Sequence, residues 1–224
     1  MSTRGAIGVR LKGKDILTYN HSDSYPTWLG AHLLKELRGV APARLGELAS
    51  QLQMVEEDAK PTLKQLKVCY PYLREKVAGT DRDETFEEMV KRLDDKNVGG
   101  PGRHWYKVLR DTQGTFKYLL AGLPFFIGGF ENFVYDSSCE WAYIANLDTS
   151  MFEVYTGYWT HSKDVRHYCK VQKPRGRYAM GETGELGDDY SGALLVEEIP
   201  FDEISMASDA AIERYCARLY RLRS

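Results

Sequence analysis

A run of polar and aromatic side chains near the amino terminus offers the most chemistry in this sequence. His21 lies two residues before Asp23, and residues two apart in an extended segment project to the same side. The carboxylate could then orient the imidazole, as in a general-base pair. Tyr19 or the hydroxyl of Ser24 could assist, which would make the protein a small hydrolase or transferase.

The same segment, residues 19–25, also has a structural interpretation and a binding interpretation. Asp23 and Ser24 can hydrogen-bond to their own backbone in a turn and cap a helix that follows Pro26. Alternatively the segment contacts a partner, together with aromatic side chains that we expect on the surface, because such anchors dominate interfaces. The predicted contact residues are Asn20, Ser24, Tyr25, Trp28, Trp141 and Tyr155, with Trp159 as a further surface aromatic residue.

Four potential metal ligands occur within nine residues later in the chain. They are His161, Asp164, His167 and Cys169, and zinc accepts all three residue types. Their spacing matches no zinc-finger or metalloprotease pattern, so a polar loop leading into a strand is the simpler interpretation. The sequence therefore predicts no metal site and no cofactor.

The composition limits the classes of partner and the location. The chain has 224 residues, with 30 Lys and Arg against 32 Asp and Glu, a balance that makes nucleic acid an unlikely partner. No apolar run approaches the roughly 20 residues of a membrane span, and the first residues lack the apolar core of a secretory signal. The four cysteines stand far apart without a C-x-x-C pair. We therefore expect free thiols, a cytoplasmic location and no membrane contact.

Two hairpins and a late strand are the predicted β elements. Ile7, Val9 and Leu11 alternate with other residues before a turn at 12–15, and residues 16–19 form the returning strand. Residues 140–146 and 151–158 are rich in aromatic and β-branched types and enclose the turn 148–150. Residues 194–199 form the final strand, which Pro200 ends.

The middle of the chain and its end show helical periodicity. The first three predicted helices cover residues 29–38, a stripe from Leu45 to Val55, and a segment from Leu63 through a kink at Pro71 to residue 77. Three more are predicted over residues 86–93, after a cap within 81–85, over 105–111, and after Ser208. Residues 118–133 are predicted to be irregular. The result is a single α+β domain spanning 1–224, in which a helical middle (29–113) packs on an antiparallel sheet from segments 5–20 and 140–200.

Two parts of the chain resemble a group of largely uncharacterised microbial and phage proteins. The first is Arg4-Gly5 with a short hairpin, then Tyr-Asn-His-x-Asp-Ser-Tyr-Pro at 19–26 and Gly30. The second is the later hairpin at 142–155. The sequence departs from the group at Ser22, where the group has Phe or Trp. The resemblance implies a cytoplasmic or phage-borne accessory protein and adds no reaction.

Two functions follow from the sequence. The favoured one is a binding or interaction protein that engages an unknown protein or a small molecule through residues 19–25 and the aromatic-rich sheet. The alternative is a hydrolase or transferase that uses His21 and Asp23. It is less favoured because no catalytic set in the sequence has a diagnostic spacing. The oligomeric state does not follow from the sequence.

Overall fold

The computed structural model describes residues 3–95, 102–136, 138–157, 176–178 and 192–221. The strands in these ranges are β1 (Gly5–Leu11), β2 (Lys14–Asn20), β3 (Gln53–Val55), β4 (Phe125–Ile127), β5 (Trp141–Asn146), β6 (Met151–Gly157) and β7 (Ala193–Pro200). The α-helices there are α1 (Ala31–Leu37), α2 (Pro42–Ser50), α3 (Leu63–Leu73), α4 (Phe86–Asp94), α5 (Trp105–Leu109), α6 (Lys117–Ala121), α7 (Phe201–Met206) and α8 (Asp209–Arg221). These elements confirm the predicted α+β class.

Both predicted hairpins and the final strand join one five-stranded sheet, in the order β2-β1-β5-β6-β7. The two hairpins are antiparallel, but β1 and β5 run parallel, with Gly5 opposite Trp141 and Arg10 opposite Asn146. The sheet is therefore mixed, and the expectation of an antiparallel sheet was wrong at this junction. The reason is topological, since parallel neighbours need a long crossover connection and the helical middle provides one.

The main sheet is buried on both faces. One face carries Ile7, Val9 and Tyr143 and packs on helices α1, α2, α7 and α8. The opposite face carries Leu17 and Ile144 in a second apolar cluster. Because both faces are covered, the central strands are nearly continuous in apolar residues.

A buried network of charges lies on the second face of the sheet. The guanidinium of Arg177 contacts both carboxylate oxygens of Asp15, at 3.0 and 3.1 Å. It also donates to Glu153, at 2.5 Å, and to the hydroxyl of Tyr155, at 2.8 Å. Asn146 donates to the other oxygen of Glu153 at 2.6 Å. Glu153 is 3% exposed, so these bonds replace the water that its charge loses.

The middle of the chain departs from the prediction in three places. Helix α2 ends at Ser50, and the expected helical stripe to Val55 is replaced by β3, which pairs with β4 in a small parallel sheet. Helix α3 continues through Pro71, because a proline in the last turn removes few helical hydrogen bonds. The helix ends at Leu73 instead of the predicted Val77. The segment predicted to be irregular contains α6 and β4. Local propensity did not predict these elements because each forms by packing on distant segments.

Two helix starts follow the predicted capping chemistry. Thr85 caps α4 in a reciprocal arrangement with Glu88, and the hydroxyl of Ser208 accepts the amide of Ala211 at 3.2 Å.

Among the helices of the described ranges, none combines the length and the apolar character that a membrane crossing requires.

Candidate functional site

Residues 19–25, hereafter the corner, lead from β2 into a turn of π-helix at Pro26–Gly30, which precedes α1. The carbonyl of Tyr25 accepts the amides of Trp28 (3.0 Å) and Gly30 (3.3 Å). The N-cap position is Tyr25, and no side chain caps it, so the expectation that Asp23 or Ser24 caps this helix was wrong. Single π turns are rare and occur frequently at functional sites.

Ser24 fixes the corner through hydrogen bonds on its buried side. Its side chain is fully buried, at 0% exposure. Its amide donates to Thr3 (3.2 Å), its carbonyl accepts the hydroxyl of Tyr143 (2.8 Å), and its hydroxyl accepts the amide of Asn20 (2.7 Å). A buried hydroxyl held in this way supports the backbone. The predicted contact between Ser24 and a ligand or substrate is therefore not available in this conformation.

Asn20 links the corner to the segment 113–115. Its amide nitrogen donates to the carbonyl of Ser22 at 2.5 Å as well as to Ser24. Gly114, which has a φ of +79°, passes so close that a Cβ there would lie 2.4 Å from Oδ1 of Asn20. Only glycine combines that φ with so close an approach.

Asp23 adopts a left-handed conformation, with a φ of +54°. The segment is therefore not extended at this residue, so the extended geometry that was expected to place His21 and Asp23 on the same side is absent. The Asp23 side chain is exposed. Within the part of the chain that the structure describes, its carboxylate forms no ion pair and accepts no hydrogen bond.

His21 belongs to an aromatic cluster beside the corner. Its Nε2 lies 3.1 Å from the hydroxyl of Tyr106, and its ring stands edge-on to that of Tyr19 at a centroid distance of 4.5 Å. Burial lowers the pKa of His21, and the charge of Arg110 lowers it further. The imidazole is thus oriented by a phenol, and the predicted orientation by Asp23 gains no support.

A groove of about 670 Å³ opens where the corner, the π turn, α1 and α8 meet. Of the predicted site residues, Asn20, Asp23 and Trp28 line it together, whereas Tyr19 does not. The other lining residues that matter for its chemistry are Ser22, His32, Lys35, Gln113, Thr115 and Glu213.

Trp28 stands at this groove with 70% of its surface exposed. The π turn explains its position, because the segment buries Pro26, Leu29 and Gly30 on its inner side. The prediction that Trp28 lies at the surface is confirmed.

Helix α1 contributes side chains to the groove that were not predicted from the sequence. Nε2 of His32 lies 3.0 Å from Oε1 of Glu36, a carboxylate that also accepts the backbone amide of Phe116 at 2.7 Å and the hydroxyl of Thr115. Lys35 pairs with Glu213 of α8 at 2.9 Å, and this hydrogen bond raises the pKa of Lys35. The i, i+4 spacing of His32 and Glu36 could have predicted their pairing from the sequence. The contacts with Thr115, Phe116 and Glu213 could not be predicted, because these residues lie in distant segments.

The remaining predicted contact residues lie away from the groove. Tyr25 is partly buried and stands edge-on to Tyr220 of α8, at a centroid distance of 5.6 Å. Trp141 and Tyr155 are each 1% exposed, so the expectation that they are surface anchors was wrong. Both lie on central strands whose two faces are covered.

The four potential metal ligands weighed in the sequence, His161, Asp164, His167 and Cys169, lie outside the described residues, as does Trp159. In the described ranges, no three His, Cys, Asp or Glu side chains converge as a metal site would require. Cys69, Cys139 and Cys216 are buried and form no disulfide bond in the described part of the chain, which agrees with the prediction for these three.

The corner and the groove thus combine an exposed tryptophan, two side-chain amides and the carboxylate of Asp23, which has no partner among the described residues. Comparisons of this chain with models of protein families, with curated proteins and with solved structures gave no match.

Proposed function

We propose that this protein is a binding protein and that the groove beside the corner is where its ligand or partner docks. The observation that carries the proposal is the exposure of Trp28 at the groove. A tryptophan left in water forgoes the free energy of burying a large aromatic surface, and buried tryptophans are the most frequent anchors of interfaces. The volume of about 670 Å³ lies within the range of about 300–1,000 Å³ that ligand sites occupy.

Two departures from regular backbone geometry support the same site. One is the π turn, which contains Trp28, and the other is the left-handed conformation of Asp23, which lies five residues before Trp28. Such conformations cost free energy and cluster at functional sites, where surrounding contacts hold them. Here the bonds of Asn20, Ser24 and Tyr143 hold the backbone between them.

Catalysis by His21 and Asp23 has less support as a function. A general base needs its orienting group within hydrogen-bond reach, and the bonds of the His21 ring go to Tyr106 and Gln113. The proposal therefore keeps the binding function that the sequence favoured and moves its centre to Trp28. The resemblance implies a cytoplasmic or phage-borne accessory protein.

A retention experiment tests the proposal. The full chain is incubated with a metabolite extract and, separately, with a tryptic peptide mixture, and compounds that remain bound after rapid ultrafiltration are identified by mass spectrometry. We expect the wild type to retain at least one compound and Trp28→Ala to retain it at least tenfold less. Met206→Ala is the matched control, because Met206 is 79% exposed and does not line the groove. Equal retention by Trp28→Ala and the wild type would contradict the proposal.

A further inference from the structure

We propose that the groove selects a cationic group, namely the guanidinium of an arginine side chain in a peptide segment of a partner protein. This inference rests on the proposed function and adds the chemical class of the ligand. It depends on three independent features of the groove, which are its charge, its aromatic surface and its buried amide.

The charge of the groove favours a cation. Asp23 and Glu213 line it against a single lysine, Lys35. The ammonium of Lys35 is already engaged by Glu213 at 2.9 Å and by Asp209 at 3.8 Å, which leaves the carboxylate of Asp23 to be neutralised. His32 adds no fixed excess of positive charge, because Glu36 lies 3.0 Å from its ring.

The positive charges nearest to the corner do not change this balance. Arg4 and Arg110 are close enough to lower the pKa of His21, but neither lines the groove. An anionic ligand such as a phosphate would meet two carboxylates in the groove against one lysine, which Glu213 already engages. Coulomb repulsion therefore disfavours phosphate and carboxylate ligands there.

The combination of Asp23 with Trp28 favours arginine among the cations. Tryptophan is the best aromatic partner of a cation, and its indole is the most exposed aromatic surface on the groove. A guanidinium is planar, stacks on aromatic faces and donates two parallel hydrogen bonds to a carboxylate. The ammonium of lysine offers neither the stacking nor the paired bonds.

Gln113 supplies a further acceptor at the wall of the groove. Its side-chain amide is shielded from water and hydrogen-bonds with the ring of His21, and it has no further hydrogen bond within the described residues. An amide oxygen has two lone pairs, so it can accept a further hydrogen bond in addition to the contact with His21. A guanidinium N–H that enters the groove can donate to it.

The test compares two probes of nearly identical shape. Nα-acetyl-L-arginine amide carries the guanidinium, whereas Nα-acetyl-L-citrulline amide replaces it with a neutral urea group. Each is titrated into the ¹⁵N-labelled full chain, and the indole N–H signal of Trp28 is followed by NMR. The signal is assigned by its loss in Trp28→Phe. We expect a saturable shift with the arginine probe and binding at least tenfold weaker with the citrulline probe.

The variant Asp23→Asn isolates the role of the carboxylate. Asparagine tolerates the left-handed conformation about as well as aspartate, so the backbone of the corner is preserved. We expect arginine binding to weaken at least fivefold in Asp23→Asn and citrulline binding to stay the same. Asp81→Asn, a change at an exposed aspartate outside the groove, leaves both unchanged.

The outcomes separate this inference from the proposed function. Equal shifts of the Trp28 signal with both probes would overturn the selection of a cation and would leave the groove as a ligand site. The absence of any shift with the arginine probe would also overturn the inference, while the retention experiment decides the binding function independently. Unchanged arginine binding in Asp23→Asn would remove the assigned role of that carboxylate.

Discussion

The side-chain amide of Asn20 donates a hydrogen bond to the buried hydroxyl of Ser24 over 2.7 Å. This bond spans the corner and fixes the backbone on either side of the left-handed Asp23. The shape of the groove beside Trp28 therefore depends on this polar contact. Of the two residues, Asn20 lines the groove, whereas Ser24 is buried and does not line it.

Loss of this bond should destabilise the protein. In Asn20→Ala the hydroxyl of Ser24 stays buried without its donor, which costs about 1–3 kcal/mol. We expect the free energy of unfolding, measured by urea denaturation, to fall by that amount. Asn132→Ala, at an exposed asparagine, should change it by less than about 0.5 kcal/mol. Equal stability of Asn20→Ala and the wild type would show that the corner holds without this contact.

Removal of Arg177 should have a larger effect. Arg177→Leu leaves the carboxylate of Glu153, which is 3% exposed, without its cation, and breaking a buried pair from one side costs about 3–5 kcal/mol. We expect a loss of this size in urea denaturation.

The double variant Arg177→Leu with Glu153→Leu provides the control for this prediction. Replacing both partners of a buried ion pair by apolar residues is often nearly neutral, so the double variant should recover part of the stability that the single variant loses. A double variant less stable than Arg177→Leu would contradict the interpretation that the unpaired carboxylate is the cause.

His21 should make stability depend on pH. Its pKa in the folded protein lies below the ordinary 6.5 because burial, and then Arg110, disfavour the imidazolium. Below pH 6.5 the unfolded chain binds a proton at this residue before the folded protein does, so stability falls as the pH is lowered from about 7.5 towards 5.

The comparison of the wild type with His21→Gln measures this contribution. The variant lacks the titrating group, so its free energy of unfolding should fall less steeply over the same pH range. Loss of the hydrogen bond to Tyr106 shifts the curve of the variant by a constant and does not alter its slope. Parallel curves between pH 7.5 and 5 would show that the pKa of His21 is not lowered on folding.

Two cysteines should be inert in the folded protein. Burial raises the pKa of Cys69 and of Cys216 to about 12, and the thiolate is the reactive form. At pH 8 we expect no labelling of either residue by iodoacetamide within minutes, with the sites located by mass spectrometry. Both should be labelled rapidly in concentrated urea, which is the control. Rapid labelling of the folded protein at either site would contradict the burial of that thiol.

The sequence by itself determined the elements whose signals are local. Period-2 alternation predicted the first hairpin, and aromatic and β-branched residues around a turn predicted the second. Helical stripes predicted α4 and α8, and Thr85 and Ser208 cap helices within the regions where caps were expected. The α+β class followed from the order of these elements. Such features depend on residues a few positions apart, so a single sequence contains the information.

Tertiary structure alone decided the arrangement of these elements and of the site. Whether β1 pairs with β5 in parallel, and whether Trp141 is covered on both sides, depends on contacts between segments more than a hundred residues apart. The groove likewise combines Asp23 with Gln113 and Glu213. No local pattern encodes such pairings, because their free energy comes from the packing of the whole chain and exists only once that packing has formed.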